Sequence, residues 1–330
     1  MSENYNIPIS AILMFEEISV ADILIYPNDS KQSIKTVQIH NNALLPTSVK
    51  RGNQSIGSWL IQRCMPINNR TVNITRFVTG ISNKNALFTF LLSLSTNSIS
   101  LVDRYWINVC ETQNFYVDRA RFVLNHTTWQ KINPFKTQVF QAYDFELNDN
   151  FAYINSDDKV NTSAIWTTNG AQIKTWIFRE NEYCLVKRSQ NDNLKKEITT
   201  FELCQKYHIK HPEYWIDNVI VEKDFSRYNG NTIQNGLTVI NKKCLTNQTE
   251  QLIPISSYIN DGDRDLKDVF NKIKQDIIID QQNIINFIRM FEEHQQMFSV
   301  TNSNYDTSNF GILLQNNMEG ELVVWSKLTI

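Results

Sequence analysis

Two stretches of this 330-residue chain carry side chains whose types and spacing could do chemistry. In the first, Thr168 to Trp176, the pair Asn169-Gly170 precedes Ala171, Gln172 and Lys174, and Lys187 stands 13 residues after Lys174. Glycine lets backbone N–H groups close on phosphate oxygens where a Cβ would hinder the approach. Residues 162–190 thus read as the strand, loop and strand of a phosphate site ending in a strand lysine, Lys187. Two plainer readings stay open. Asn-Gly is also the strongest short hairpin signal, and Lys187, followed by Arg188, also suits an exposed strand end. The second stretch, Thr301 to Gly311, gathers Asn304, Asp306 and Asn309 ahead of Phe310-Gly311. An asparagine amide oxygen accepts hydrogen bonds but is no base near neutral pH. His208-Ile-Lys-His211 has metal-like spacing, but Pro212 follows and no third ligand is near, so it reads as a loop with two surface histidines. Glu292-Glu293-His294 reads as the solvated face of a helix. No Walker A, G-x-G-x-x-G or G-x-S-x-G pattern occurs.

The elements that must position these residues begin with two strands, Ala21–Tyr26 and Ile34–Ile39, flanking a Pro-Asn-Asp-Ser turn. A helix opened by Ser55 puts Ile56, Trp59 and Leu60 on one face and is stopped by Pro66. Residues 85–94 form a second helical run; Ser100–Ile107 and Trp129–Phe135 are aromatic stretches that read as core or docking surface. The polar segment 148–163 marks a boundary, after which strands Thr175–Phe178 and Tyr183–Lys187 flank a turn at Arg179–Glu182. Glu197–Tyr207 reads as a helix with Ile198, Phe201 and Leu203 apolar, followed by strands at 215–223 and 237–245. From Arg264 two amphipathic helices run to about Met297. Leu266, Val269, Phe270, Ile273 and Ile277, then Ile284, Ile285, Ile288 and Phe291, keep the i, i+3, i+4 spacing. Strand-rich first and helical later is the order of a two-lobed α+β domain.

Bulk properties narrow the class. A net charge of −2 gives no electrostatic reason to bind nucleic acid or an anionic membrane. No apolar run approaches the roughly 18 residues that span a bilayer. Ile7–Phe15 lacks the basic flank of a secretory signal, so a cytoplasmic protein is expected. The five cysteines are odd in number and never spaced C-x-x-C, and read as free buried thiols.

Taken in order, these landmarks resemble the HipA-like serine/threonine kinase family of toxin–antitoxin pairs, in the branch found in low-GC bacteria. The resemblance spans nearly the whole chain: Leu45-Pro46, W-L-x-x-R-x-x-P from Trp59 to Pro66, Ser100–Ile107, W-x-x-I-N-P-F at Trp129, T-x-G-A-Q-x-K-x-W at Thr168, Lys187, K-C-L-x-N-x-T-E-x-x-I-P from Lys243 to Pro254, and Asn309-Phe-Gly. It implies an N-terminal mixed strand and helix region over 1–150. A bilobal kinase-like domain follows, with its N-lobe at 151–255 and a partial helical C-lobe at 256–330. The chemistry implied is ATP- and Mg2+-dependent phosphoryl transfer. ATP contacts would come from Gly170, Ala171, Gln172, Lys174 and Lys187 and from the interlobe pair Lys243 and Cys244. Glu202 would partner Lys187, Asn309 would bind metal, and Thr167 stands where family members carry an autophosphorylatable serine; a plain strand threonine is the other reading of it.

The chain also departs from the family. Matching Asn309 to the family's metal asparagine puts Asn304 at the catalytic aspartate and Asp306 at a histidine. A lost base costs roughly 10²–10⁴ in rate, unless Asp306 takes over by a loop shift. The family's P-x-F-D metal aspartate is not met in the 19 residues after Gly311, which makes Mg2+ binding doubtful. A truncated C-lobe would also leave the Leu266–Phe291 helices with exposed apolar stripes, which implies a partner, a self-contact or partial disorder. The resulting expectation is an impaired or inactive pseudokinase. The alternatives are one subunit of a split kinase, completed by a polypeptide carrying the missing lobe, and a non-enzymatic interaction protein with an antitoxin-like partner.

Overall fold

A computed structural model describes residues 8–27, 33–64, 87–94, 97–100, 103–109, 159–161, 167, 174–179, 182–189, 191–219, 237–243, 251–259, 266–298, 310–314 and 319–324. The chain mixes strands and helices in two compact units, one of Met1–Arg188 with Ile216–Asn241, the other of Ser189–Trp215 with Lys242–Ile330. The boundary expected near 150 lies outside the described residues. The one at 255 falls between Ile253 and Tyr258, which share a core.

In the first unit, β1 (Ile9–Phe15), β2 (Ile18–Ile25), β3 (Ile34–Ile39) and β4 (Tyr105–Val109) form an antiparallel sheet in the order β3-β2-β1-β4. Alternation decides its inner face: Ile9, Ala11 and Leu13 of β1 and Ala21, Ile23 and Ile25 of β2 are buried. Against them pack helices α2 (Ile56–Gln62) and α3 (Leu87–Ser93), with the short α1 (Thr47–Lys50) beside α2. Ser55 caps α2 as its sequence suggests, its hydroxyl accepting the Ser58 N–H at 3.1 Å. Gly57 permits the close approach to β3, since a Cβ there would lie 2.8 Å from the Ile34 carbonyl oxygen.

Three of the sequence landmarks meet at the end of α2. Arg63 donates from Nε and Nη2 to the two Asp103 carboxylate oxygens at 2.7 and 2.6 Å, and from Nη2 to the Tyr105 carbonyl at 2.6 Å. Its Nη1 donates to the Ser98 carbonyl at 2.5 Å. The guanidinium lies over Trp59, whose ring meets Tyr105 edge to face at 5.1 Å. Tyr105 in turn donates its hydroxyl to the Leu44 carbonyl at 3.0 Å. Beside this hub, burial pushes the Cys64 thiol up to about 11, so it stays protonated. Cys64 and Cys204 are buried free thiols, as expected.

A second sheet has the order β5-β6-β7-β9-β8, from β5 (Lys159–Asn161), β6 (Lys174–Arg179), β7 (Glu182–Ser189), β8 (Tyr214–Val219) and β9 (Leu237–Lys243). Arg179 pairs with Glu182, so β6 and β7 join through a two-residue turn where one was expected. The second unit holds α4 (Asn191–Lys206), α5 (Leu266–Asp276) and α6 (Gln281–Phe298). Its sheet is ordered β10-β12-β13-β11, from β10 (Gln251–Pro254), β11 (Ile278–Ile279), β12 (Phe310–Leu314) and β13 (Glu319–Val324).

The apolar stripes of α5 and α6 are not left exposed; of the covers expected for them, the structure shows a self-contact. Val269, Phe270, Ile273, Ile277, Ile284 and Phe291 are buried with Phe310, Ile312, Leu322 and Val324 of the β12–β13 hairpin. The hairpin's own alternating apolar residues are cover enough. His294 corrects a second expectation: it is buried at 1% exposure, because it continues the stripe of Phe287, Met290 and Phe291 by the same helical spacing.

Removing one partner of a buried, multiply bonded ion pair costs about 3–5 kcal/mol. Arg63→Ala is therefore expected to lower unfolding stability by about that amount in urea titration, and Arg63→Lys to recover only part of it, because an ammonium lacks the planar fork. A loss within about 0.5 kcal/mol, the usual range for a surface change, would mean that the hub holds nothing.

Candidate functional site

The residues with chemical potential start at β6 and β7. Their register sets Lys174 directly opposite Lys187, Thr175 opposite Val186 and Trp176 opposite Leu185. The two lysines are thus cross-strand neighbours at the end of the hairpin next to the Gly170 segment, a proximity their 13-residue separation alone does not give. Gly170, Ala171 and Gln172 lie outside the described residues, as do Cys244, Asn304, Asp306 and Asn309. Lys243 is the last residue of β9.

Thr167 is buried, at 5% exposure, and its hydroxyl donates to the Ile99 carbonyl at 2.5 Å. Ile99 packs with Met14 and Trp106 on the outer face of the N-terminal sheet. A hydroxyl held in this way is shielded from a phosphate donor, which favours the plain structural reading of Thr167.

Helix α4 begins at Asn191, six residues ahead of the expected start, because its polar first turns give no apolar period to read. Leu203 is buried, and Glu197, Thr200, Phe201 and Cys204 are buried at the i, i+3, i+4, i+7 spacing of one face. Glu202 is exposed. Glu197, five residues earlier and about 140° around the axis from it, is 0% exposed and engaged within the fold. Burying a carboxylate is costly unless it is paired, so the burial of Glu197 calls for a compensating interaction, and the side chain has one within the fold. Sequence reasoning missed it; stepping back seven and four residues from Cys204 and Phe201 would have found it.

The C-terminus of α4 is tied to α6. Lys206 Nζ donates to both Glu293 carboxylate oxygens, at 2.7 and 2.5 Å, and the Tyr207 hydroxyl donates to one of them. The Lys206 bond, followed by the Tyr207 bond, holds the Glu293 carboxyl below its usual range, and bonding to Glu293 raises Lys206 and Tyr207 above theirs. Beyond this cluster, His208 is exposed with φ of +54° and His211 Nδ1 lies 2.9 Å from the Pro212 carbonyl. Among the described residues no group of three or more His, Cys, Asp or Glu could hold a metal ion. None of the described helices is long and apolar enough to cross a membrane.

No family model matches the chain, and no curated protein matches it. Among solved structures, it is similar in part to CtkA, a proinflammatory kinase of Helicobacter pylori. The match is 18% identical, with a TM-score of 0.32, and covers 46% of this chain and 52% of that one. The chain thus spans about half the length of that structure.

The Glu293 cluster makes stability depend on pH. A carboxyl whose folded value is depressed adds stability above its unfolded value, about 4.3, and loses it as pH falls through the folded value. Lys206 and Tyr207, raised by folding, lose theirs only as pH rises past about 10. The melting-temperature gap between wild type and Glu293→Gln is expected to be level from about pH 5 to 9, to close below about pH 4, and to shrink in high salt. A gap unchanged at pH 3 would mean that the side chain packs rather than pairs.

Proposed function

We propose that this chain is a kinase-fold protein similar to the HipA-like family, which grips a nucleoside triphosphate through residues 168–187 and transfers its phosphate poorly or not at all. The observation that carries this reading is the register pairing of Lys174 with Lys187 beside the Gly170 segment. Lysines at directly opposed strand positions are an unfavourable like-charge pair, and a phosphate chain would turn that repulsion into charge-assisted contacts. ATP fits such a pair, with the glycine turn supplying backbone N–H donors.

Phosphoryl transfer needs a base for the acceptor hydroxyl and a metal across the phosphates. Asn304 stands at the base position of the resemblance, and its amide does not take a proton. Asn309, the proposed metal ligand, is also a neutral amide, whereas Mg2+ leans on carboxylates. The proposal therefore separates binding from transfer: the cations that hold ATP are retained and the base is lost.

ATP at millimolar concentration is expected to raise the melting temperature with little dependence on Mg2+. Replacing Lys174 or Lys187 by Met should weaken binding about 10–100-fold, the worth of one charged hydrogen bond. At low salt without nucleotide, each variant should be at least as stable as wild type, since a repulsion has been removed. No thermal shift with ATP would discard the nucleotide reading and leave a non-enzymatic interaction protein. Incubation with γ-labelled ATP should leave this chain unlabelled, and clear autophosphorylation would overturn the loss of transfer.

A further inference from the structure

We draw no further inference here: the strongest candidate, the buried Thr167 hydroxyl anchored on the Ile99 carbonyl beside the N-terminal sheet, carries nothing because the segment it would position lies outside the described residues.

Discussion

The apolar faces of α5 and α6 must be taken out of water, and the order of the second unit follows from how that is done. Phe287 sits at the centre, edge to face with Phe270 at 5.8 Å and with Phe310 at 5.4 Å. Each aromatic contact of this kind adds about 0.5–1.5 kcal/mol beyond the area it buries. Because Phe310 opens β12, the helices can be covered only if the β12–β13 hairpin lies on them. β10 then pairs with β12, and Asn283 of α6 accepts the Leu322 N–H of β13 at 2.8 Å. β10 and the hairpin are thus drawn into one sheet.

This constraint changes how the Asn-Phe-Gly motif is to be understood. Phe310 is a core residue at 1% exposure. A Cβ on Gly311 would lie 2.4 Å from Leu252 Cδ1, so the glycine is dictated by the packing of β12 on β10. Two of the motif's three residues are therefore explained by burial, and Asn309 alone is left for chemistry. The N-terminal landmarks behave alike. Trp59, Arg63, Asp103 and Tyr105 form one hydrogen-bonded and stacked hub. Such residues resist substitution whether or not the chain catalyses anything, so the resemblance they carry speaks to fold more than to activity.

What remains specific to function is a small set of charges. Lys174 and Lys187 hold directly opposed register positions on β6 and β7, and the proposed function rests on that pairing. Glu197 is a buried acid on a helix whose other acidic candidate, Glu202, faces solvent. In the proposal these features supply cations for a triphosphate. They supply no proton acceptor at Asn304, which is why binding and transfer part company in the proposal.

Much of the secondary structure was legible because local signals set it. Ser55 starts a helix by offering an oxygen to orphan N–H groups, and the spacing of Val269, Phe270, Ile273 and Ile277 marks a helix face before any partner is known. The β6–β7 pairing and the β12–β13 hairpin were readable for the same reason. Which acid of α4 is buried, that His294 lies inside, and that the late helices have a cover were decided by tertiary structure alone. Hydrophobic periodicity counts apolar residues, so a stripe running through Glu197, Thr200 and His294 is invisible to it until neighbouring elements close over those positions.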